Sequence, residues 1–204
     1  MRRIKDTLHG FGYYPRYTED ELDLQFQKYT FDFLRKKYNK IELPLNTDDL
    51  TLIIENDVES LDLYAELEEG VEGETTFTKN LKPSVKISKR LTEDSSQENR
   101  LRMTLAHEYG HVKLHNFIVQ TKSKFSQKCK RDNISGSSRS DWMEWQAFYA
   151  GASLLMPVTE LKKIVSPLLL INSSLPEVAL TVANKFKVSI QAAEIRLKQK
   201  HFME

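Results

Sequence analysis

Two histidines and a glutamate in the middle of the chain share a spacing that suits metal chemistry. Residues 107–111 read His-Glu-Tyr-Gly-His. Residues four apart on a helix lie on one face, one turn from each other. His107 and His111 can therefore bind one zinc ion through neutral imidazole nitrogens. Glu108 lies about 100° round the helix from His107, which favours proton transfer from a water activated at the metal over direct ligation.

A catalytic zinc ion needs a third protein ligand, for which the sequence offers three candidates. His115 lies two turns beyond His107, about 12 Å along the axis, so it is expected to hydrogen bond near the helix end instead. Cys129 lies in a polar stretch, where an isolated cysteine is more often incidental. Glu144 would begin an apolar helix that can cross the first one, but it also suits a capping box begun by Asp141. Spacing alone leaves the role of Glu144 open.

A glycine beside the histidines is a further signal. Gly110 costs about 1 kcal/mol in a helix interior relative to alanine, so its position predicts that something approaches the backbone closely. The apolar residues around the motif are expected to bury the rest of the helix, leaving the histidines facing a cleft. These residues are Leu105, Ala106, Val112 and Leu114.

Capping boxes and apolar periodicity predict the surrounding elements. Helices are predicted over residues 18–38, 46–53, 95–115, 141–155 and 159–167, with two more after residue 176. Strands are predicted at residues 61–67, 75–78 and 84–87, with Gly70 and Gly73 in the turn between the first two. Residues 121–140 are predicted to form a long loop. The elements predict an α+β fold with a helical active-site half and a small, mostly antiparallel sheet.

Composition and charge place the chain among soluble globular proteins. Of 204 residues, 40% are hydrophobic and 29% charged, and the formal net charge is +1, which favours neither nucleic acid nor membrane as a partner. One cysteine, no secretory signal and no long apolar stretch predict a cytoplasmic protein. A basic run at residues 118–140 could dock an acidic partner, although a solvated surface is the usual interpretation.

The sequence resembles the ImmA/IrrE family of metallopeptidases in two blocks. Residues 102–115 contain His-Glu-x-Gly-His, followed three residues later by Leu-His. Residues 144–157 begin Glu-Trp-Gln-Ala and end Leu-Leu-Met-Pro, similar to a family signature in which an acid precedes Gln/Glu-Ala. The chain departs from the family at Phe148 and Ala150, where Asn and an aromatic residue are common. Those departures affect the expected substrate pocket more than the metal.

The resemblance implies a zincin-like helical core that holds zinc and hydrolyses a peptide bond. It implies that His107, His111 and Glu144 are the ligands and that Glu108 is the general acid/base. The same donors also suit manganese or iron. Residues 1–172 would form the peptidase domain, with residues 173–204 packed on it as helix-turn-helix-like helices. The implied substrate is a protein, such as a helix-turn-helix repressor cut at one site.

The end of the chain supports a second hypothesis. Residues 183–197 have the apolar spacing of a helix-turn-helix, in which Gln191, Arg196 and Lys198 would be candidates for facing DNA. The protein would then be a DNA-binding transcription regulator with a non-catalytic zinc site. The tail is only weakly basic, however, and Lys187 replaces the glycine usually preferred at the turn. Such a helix pair more often closes a hydrophobic core.

Overall fold

Helices and strands form an α+β fold in the computed structural model, which describes residues 2–119, 124–130 and 141–203. The strands are β1 (Arg2–Lys5), β2 (Tyr13–Arg16), β3 (Ser60–Ala65), β4 (Val71–Thr78), β5 (Ser84–Ser88) and β6 (Lys124–Lys130). The helices are α1 (Glu19–Tyr38), α2 (Thr47–Glu55), α3 (Lys89–Glu93), α4 (Glu98–Val119), α5 (Trp142–Leu155), α6 (Val158–Leu170), α7 (Leu175–Phe186) and α8 (Ile190–Gln199). None of the helices described here is long and apolar enough to cross a bilayer.

The sheet is mostly antiparallel, as predicted. Strands β1 and β2 form an antiparallel hairpin, and the larger sheet has the order β3-β5-β4-β6. Only the β3–β5 pairing is parallel among the strand pairs described. Gly70 occupies a turn with φ of 77°, but the prediction for Gly73 is wrong, because Gly73 lies within β4 opposite Ile87 and Cys129.

The prediction of a loop at residues 121–140 is wrong for residues 124–130, which form strand β6. This strand pairs along β4 from Val71 to Thr78 and satisfies backbone groups that would otherwise form an open edge. Its polar sequence, Lys-Phe-Ser-Gln-Lys-Cys-Lys, gives little strand signal. The rest of the basic run beyond Val119, at residues 120–123 and 131–140, lies outside the described residues.

Helix boundaries follow the capping residues closely. The Thr18 side chain and Glu21 form the predicted capping box of α1. The box predicted at residues 95–98 is wrong, because Asp94 accepts from the Ser96 N–H and caps a short 3-10 turn, Ser95–Gln97, before α4.

Pro167 lies inside α6 instead of ending it. Its ring faces solvent, so the lost hydrogen bond falls on the exposed side of the last turns.

Helix α4 is the centre of the hydrophobic core. It packs on α5 along one side and on β4 along another, and buried residues occupy most of its circumference. Arg102 within it is 1% exposed. Its guanidinium donates to the backbone carbonyls of Leu45, Phe186 and Lys187. These hydrogen bonds connect α4 to the segment before α2 and to the end of α7.

The last two helices pack on the same core through a buried ion pair. Arg196 is 0% exposed and bonds to Asp23 of α1, which also binds Lys200 at 2.7 Å. Arg196 therefore cannot face DNA, so that part of the helix-turn-helix hypothesis is wrong, whereas Gln191 and Lys198 are exposed. Periodicity alone could not reveal that an arginine on α8 has a carboxylate partner on α1. The domain division at residue 172 stays a prediction.

Candidate metal centre

Three potential metal ligands converge between α4 and α5. His107 Nε2 lies 3.1 Å from His111 Nε2 and 3.4 Å from Glu144 Oε2. His111 Nε2 lies 3.3 Å from Glu144 Oε1. All three side chains are buried, and their ligand atoms lie within 4.8 Å of one another. No other such cluster of His, Cys, Asp and Glu occurs among the described residues.

The spacing of these atoms suits one small tetrahedral ion. Zinc–ligand bonds of about 2.05 Å at tetrahedral angles separate ligand atoms by about 3.3 Å. The 3.1 Å between the two histidine nitrogens is close to that edge length, and each nitrogen lies within 3.4 Å of one Glu144 oxygen, Oε2 for His107 and Oε1 for His111. Glu144 Oε2 is buried and has no hydrogen-bond partner, as expected for an oxygen that receives a cation. The residues present therefore fit a zinc ion.

The start of α5 directs Glu144 to this position. Asp141 caps the helix by accepting from the backbone N–H groups of Met143 and Glu144. In a capping box the Glu144 side chain would accept from the backbone of Asp141. Here it turns to the two histidines instead. Gln127 of β6 donates to its Oε1 at 2.6 Å. The geometry thus favours the ligand position for Glu144 over the capping box.

Glu108, next to His107 in the sequence, places its carboxylate against β4. Its Oε2 accepts a hydrogen bond from the Thr75 hydroxyl. A β-carbon placed on Gly73 would lie 2.5 Å from Glu108 Oε1. The carboxylate of Glu108 can therefore pack against β4 only because residue 73 is a glycine. Oε1 is buried and has no hydrogen-bond partner. It is therefore the oxygen available to a proton.

The two glutamates have opposite electrostatic environments. Burial raises the pKa of Glu108 to about 7, against the lowering effects of His107 and the Thr75 hydroxyl. Burial also acts to raise the pKa of Glu144, but the adjacent His107 and His111 side chains outweigh it and hold the pKa well below its usual range. Such opposed pKa shifts separate an ionised ligand from a group that can exchange protons.

His115 is close to the centre but is not one of the converging ligands. Its Nδ1 lies 2.9 Å from His111 Nδ1, and its Nε2 lies 3.1 Å from Gln146 Oε1. Burial lowers the pKa values of His111 and His115, and the shift is larger for His115. The predicted hydrogen-bonding role of His115 agrees with these contacts. The side chain of Cys129 lies outside the described residues.

Family comparison agrees with this geometry. A family model described as the IrrE N-terminal-like domain, Peptidase_M78, matches residues 77–198, more than half of the chain and all of the converging side chains. The chain belongs to this family. Members of a peptidase family act on proteins, so a protein substrate follows from membership. No curated protein shows significant similarity to the chain.

Several residues around this peptidase centre were not anticipated from the sequence. Thr75 and Gln127 come from strands whose pairing brings them to the glutamates, and neither stands out by residue type. Gln146 lies within the second family block, which was the one available signal for it. Phe148, one of the departures from the family pattern, packs against the His107 ring with a centroid distance of 4.2 Å. This departure therefore affects the immediate surroundings of a candidate ligand.

Proposed function

We propose that this chain is a zinc-dependent metalloendopeptidase. The observation that carries the proposal is the convergence of buried ligand atoms of His107, His111 and Glu144 within 4.8 Å of one another, with Glu108 next to His107, in a member of a peptidase family. His107 and His111 would bind the ion as neutral imidazoles and Glu144 as a carboxylate. When bound, zinc supplies a Lewis acid that activates water and polarises a carbonyl group.

Glu108 would move the proton during hydrolysis. Its Oε1 takes a proton from the attacking water while the water oxygen bonds to the scissile carbonyl carbon. The carboxyl then returns the proton to the leaving nitrogen as the carbon–nitrogen bond breaks. A pKa of about 7 suits both steps near neutral pH. Thr75 holds the other carboxylate oxygen, so that Oε1 remains the reacting atom.

The substrate we propose is a helix-turn-helix transcriptional repressor, cleaved at one site. Support comes from the resemblance to the ImmA/IrrE family and from the burial of the centre. His107, Glu108 and His111 are 0% exposed and Glu144 is 3% exposed. A polypeptide reaches these buried groups only if residues around them move, and Gln127, which donates to Glu144 Oε1 at 2.6 Å, is one of these neighbours. That requirement favours a selective peptidase over a general degradative one.

The test is the substitution Glu108→Gln, which removes the proton acceptor and keeps the side-chain shape. Purified protein should bind zinc as the wild type does, while cleavage of a responsive repressor falls about 10²- to 10⁴-fold. The matched control is Glu98→Gln, at an exposed glutamate at the start of the same helix, which should cleave normally. Normal cleavage by Glu108→Gln would show that the mechanism is wrong. Loss of zinc from that variant would show that Glu108 is a ligand.

A further inference from the structure

A buried line of hydrogen bonds runs from His111 away from the metal centre. His111 Nδ1 lies 2.9 Å from His115 Nδ1, and His115 Nε2 lies 3.1 Å from Gln146 Oε1. Gln146 Nε2 then donates to the backbone carbonyl of Pro15 at 2.9 Å. Both histidines are 0% exposed and Gln146 is 1% exposed. Bulk solvent therefore cannot replace any of these partners.

The carbonyl of Pro15 determines which atom is the donor in each hydrogen bond of this line. A carbonyl oxygen only accepts hydrogen bonds, so Gln146 must turn its amide nitrogen to Pro15 and its oxygen to His115. Because the amide oxygen also only accepts, the hydrogen between Gln146 and His115 must be on His115 Nε2. A neutral His115 then has a lone pair at Nδ1, which accepts from His111 Nδ1–H.

The resulting tautomer of His111 is the one that a metal requires. With its hydrogen on Nδ1, a neutral imidazole has its lone pair on Nε2, the atom that faces His107 and Glu144. If His115 carried a hydrogen on Nδ1, the His111 Nδ1 would have to accept it. The His111 hydrogen would then be on Nε2, where it would block coordination.

We propose that His115 and Gln146 are positioning residues for the metal ligand His111, and that the Pro15 carbonyl is the anchor of this line. The proposal rests on the metal site proposed above. Partners of this type orient a ligating histidine, and their loss commonly weakens metal binding about 10- to 100-fold.

The anchor comes from outside the family match. The β1–β2 hairpin precedes residue 77, where that match begins, and is held on α5 by its own contacts. Tyr14 stacks on Trp142 with a centroid distance of 4.1 Å, and Asp6 accepts from the Trp142 indole at 3.0 Å. The first 16 residues of the chain therefore contribute to metal binding without supplying a ligand.

Two substitutions at His115 separate proton direction from packing. In His115→Asn, the amide oxygen can occupy the position of Nδ1 and accept from His111, whereas His115→Leu fills the space without an acceptor. We expect the zinc dissociation constant of the full-length chain, measured by competition with a chromophoric chelator, to rise about 10- to 100-fold in His115→Leu. His115→Asn should remain near the wild type. A packing role predicts the reverse order, because the buried pocket would tolerate leucine better than asparagine.

The wild-type protein provides a second measurement that needs no variant. Long-range ¹H–¹⁵N correlation spectra of the zinc-loaded protein should show His115 neutral with its hydrogen on Nε2 and His111 with its hydrogen on Nδ1. A His115 protonated on Nδ1, or on both nitrogens, overturns the proposal. Tight zinc binding by both the wild type and His115→Leu overturns the positioning role alone. A wild type that binds no zinc overturns the metal site itself.

Discussion

Gly110 and Ala147 bring the backbones of α4 and α5 into close contact. A β-carbon on Gly110 would lie 2.7 Å from the Ala147 carbonyl oxygen and 2.9 Å from its Cα. A second close approach occurs at Gly151, where a β-carbon would lie 2.9 Å from the backbone nitrogen of His107. These two glycines set the distance between the helix that carries the histidines and the helix that carries Glu144.

Gly110→Ala should therefore destabilise the protein, although alanine has the higher helix propensity by about 1 kcal/mol. The atoms that meet the new methyl group belong to the backbone and cannot rotate away, so we expect a net loss of about 1–3 kcal/mol in the free energy of unfolding. Urea denaturation measures this loss, and zinc affinity should fall with it as Glu144 moves from the histidines. Lys162→Ala, at an exposed helical position of α6, is the control. A more stable Gly110→Ala variant would contradict the close contact.

The Thr75 hydroxyl should contribute to the rate of hydrolysis without affecting the metal. Thr75→Val keeps the side-chain shape and removes the donor to Glu108 Oε2. Because a hydrogen bond to a charged group contributes about 1.5–3 kcal/mol, kcat should fall about 10- to 100-fold at unchanged zinc affinity. Thr75→Ser retains the hydroxyl and should recover most of the rate. Equal rates for the valine variant and the wild type would show that Glu108 needs no support from β4.

The chemistry-bearing residues of the motif could be predicted from the sequence because their spacing corresponds to one helical turn. The prediction of a close backbone approach at Gly110 is confirmed by the contact with Ala147. The roles of Thr75 and Gln127 could not be predicted, since both depend on strand register. The sequence predicts a loop at the residues that form the polar strand β6, and a turn at Gly73. Nothing in the sequence around Gly73 indicates that the Glu108 carboxylate packs against this residue.

The buried ion pair between Asp23 and Arg196 should be essential for stability. Asp23→Asn leaves the arginine charge buried without its counterion, and we expect a loss of about 3–5 kcal/mol in the free energy of unfolding. The same helix offers a matched control in Asp32, whose ion pair with Lys28 is exposed. Asp32→Asn should leave the urea midpoint unchanged, since exposed pairs contribute little. Similar midpoints for the two variants would contradict the role assigned to burial.

The contribution of the β1–β2 hairpin to stability should depend on pH because of the Asp6 carboxyl group. Burial acts to raise its pKa, but hydrogen bonds from the Phe11 backbone, the Trp142 indole and the Leu8 and His9 backbone lower it to about 2. A carboxyl with a lowered pKa stabilises the fold above its unfolded value of 3.8, and this contribution is lost as the pH falls toward 2.

Melting temperatures of the wild type and Asp6→Asn measure that contribution. The variant should melt lower than the wild type at pH 5 and above, and the two curves should converge as the pH approaches 2. A difference that stays constant from pH 6 to pH 2 would mean that the charge of Asp6 is not involved.

The contacts of Arg102 make the end of α7 part of the support of α4, the helix that carries the motif at residues 107–111. Its guanidinium lies in the interior, where carbonyl groups from the end of α7 supply two of its acceptors. A chain truncated before residue 186 would leave a buried cation with too few acceptors, about one and a half turns from the first histidine of the motif. Shortened forms that keep every proposed zinc ligand should therefore accumulate as insoluble protein.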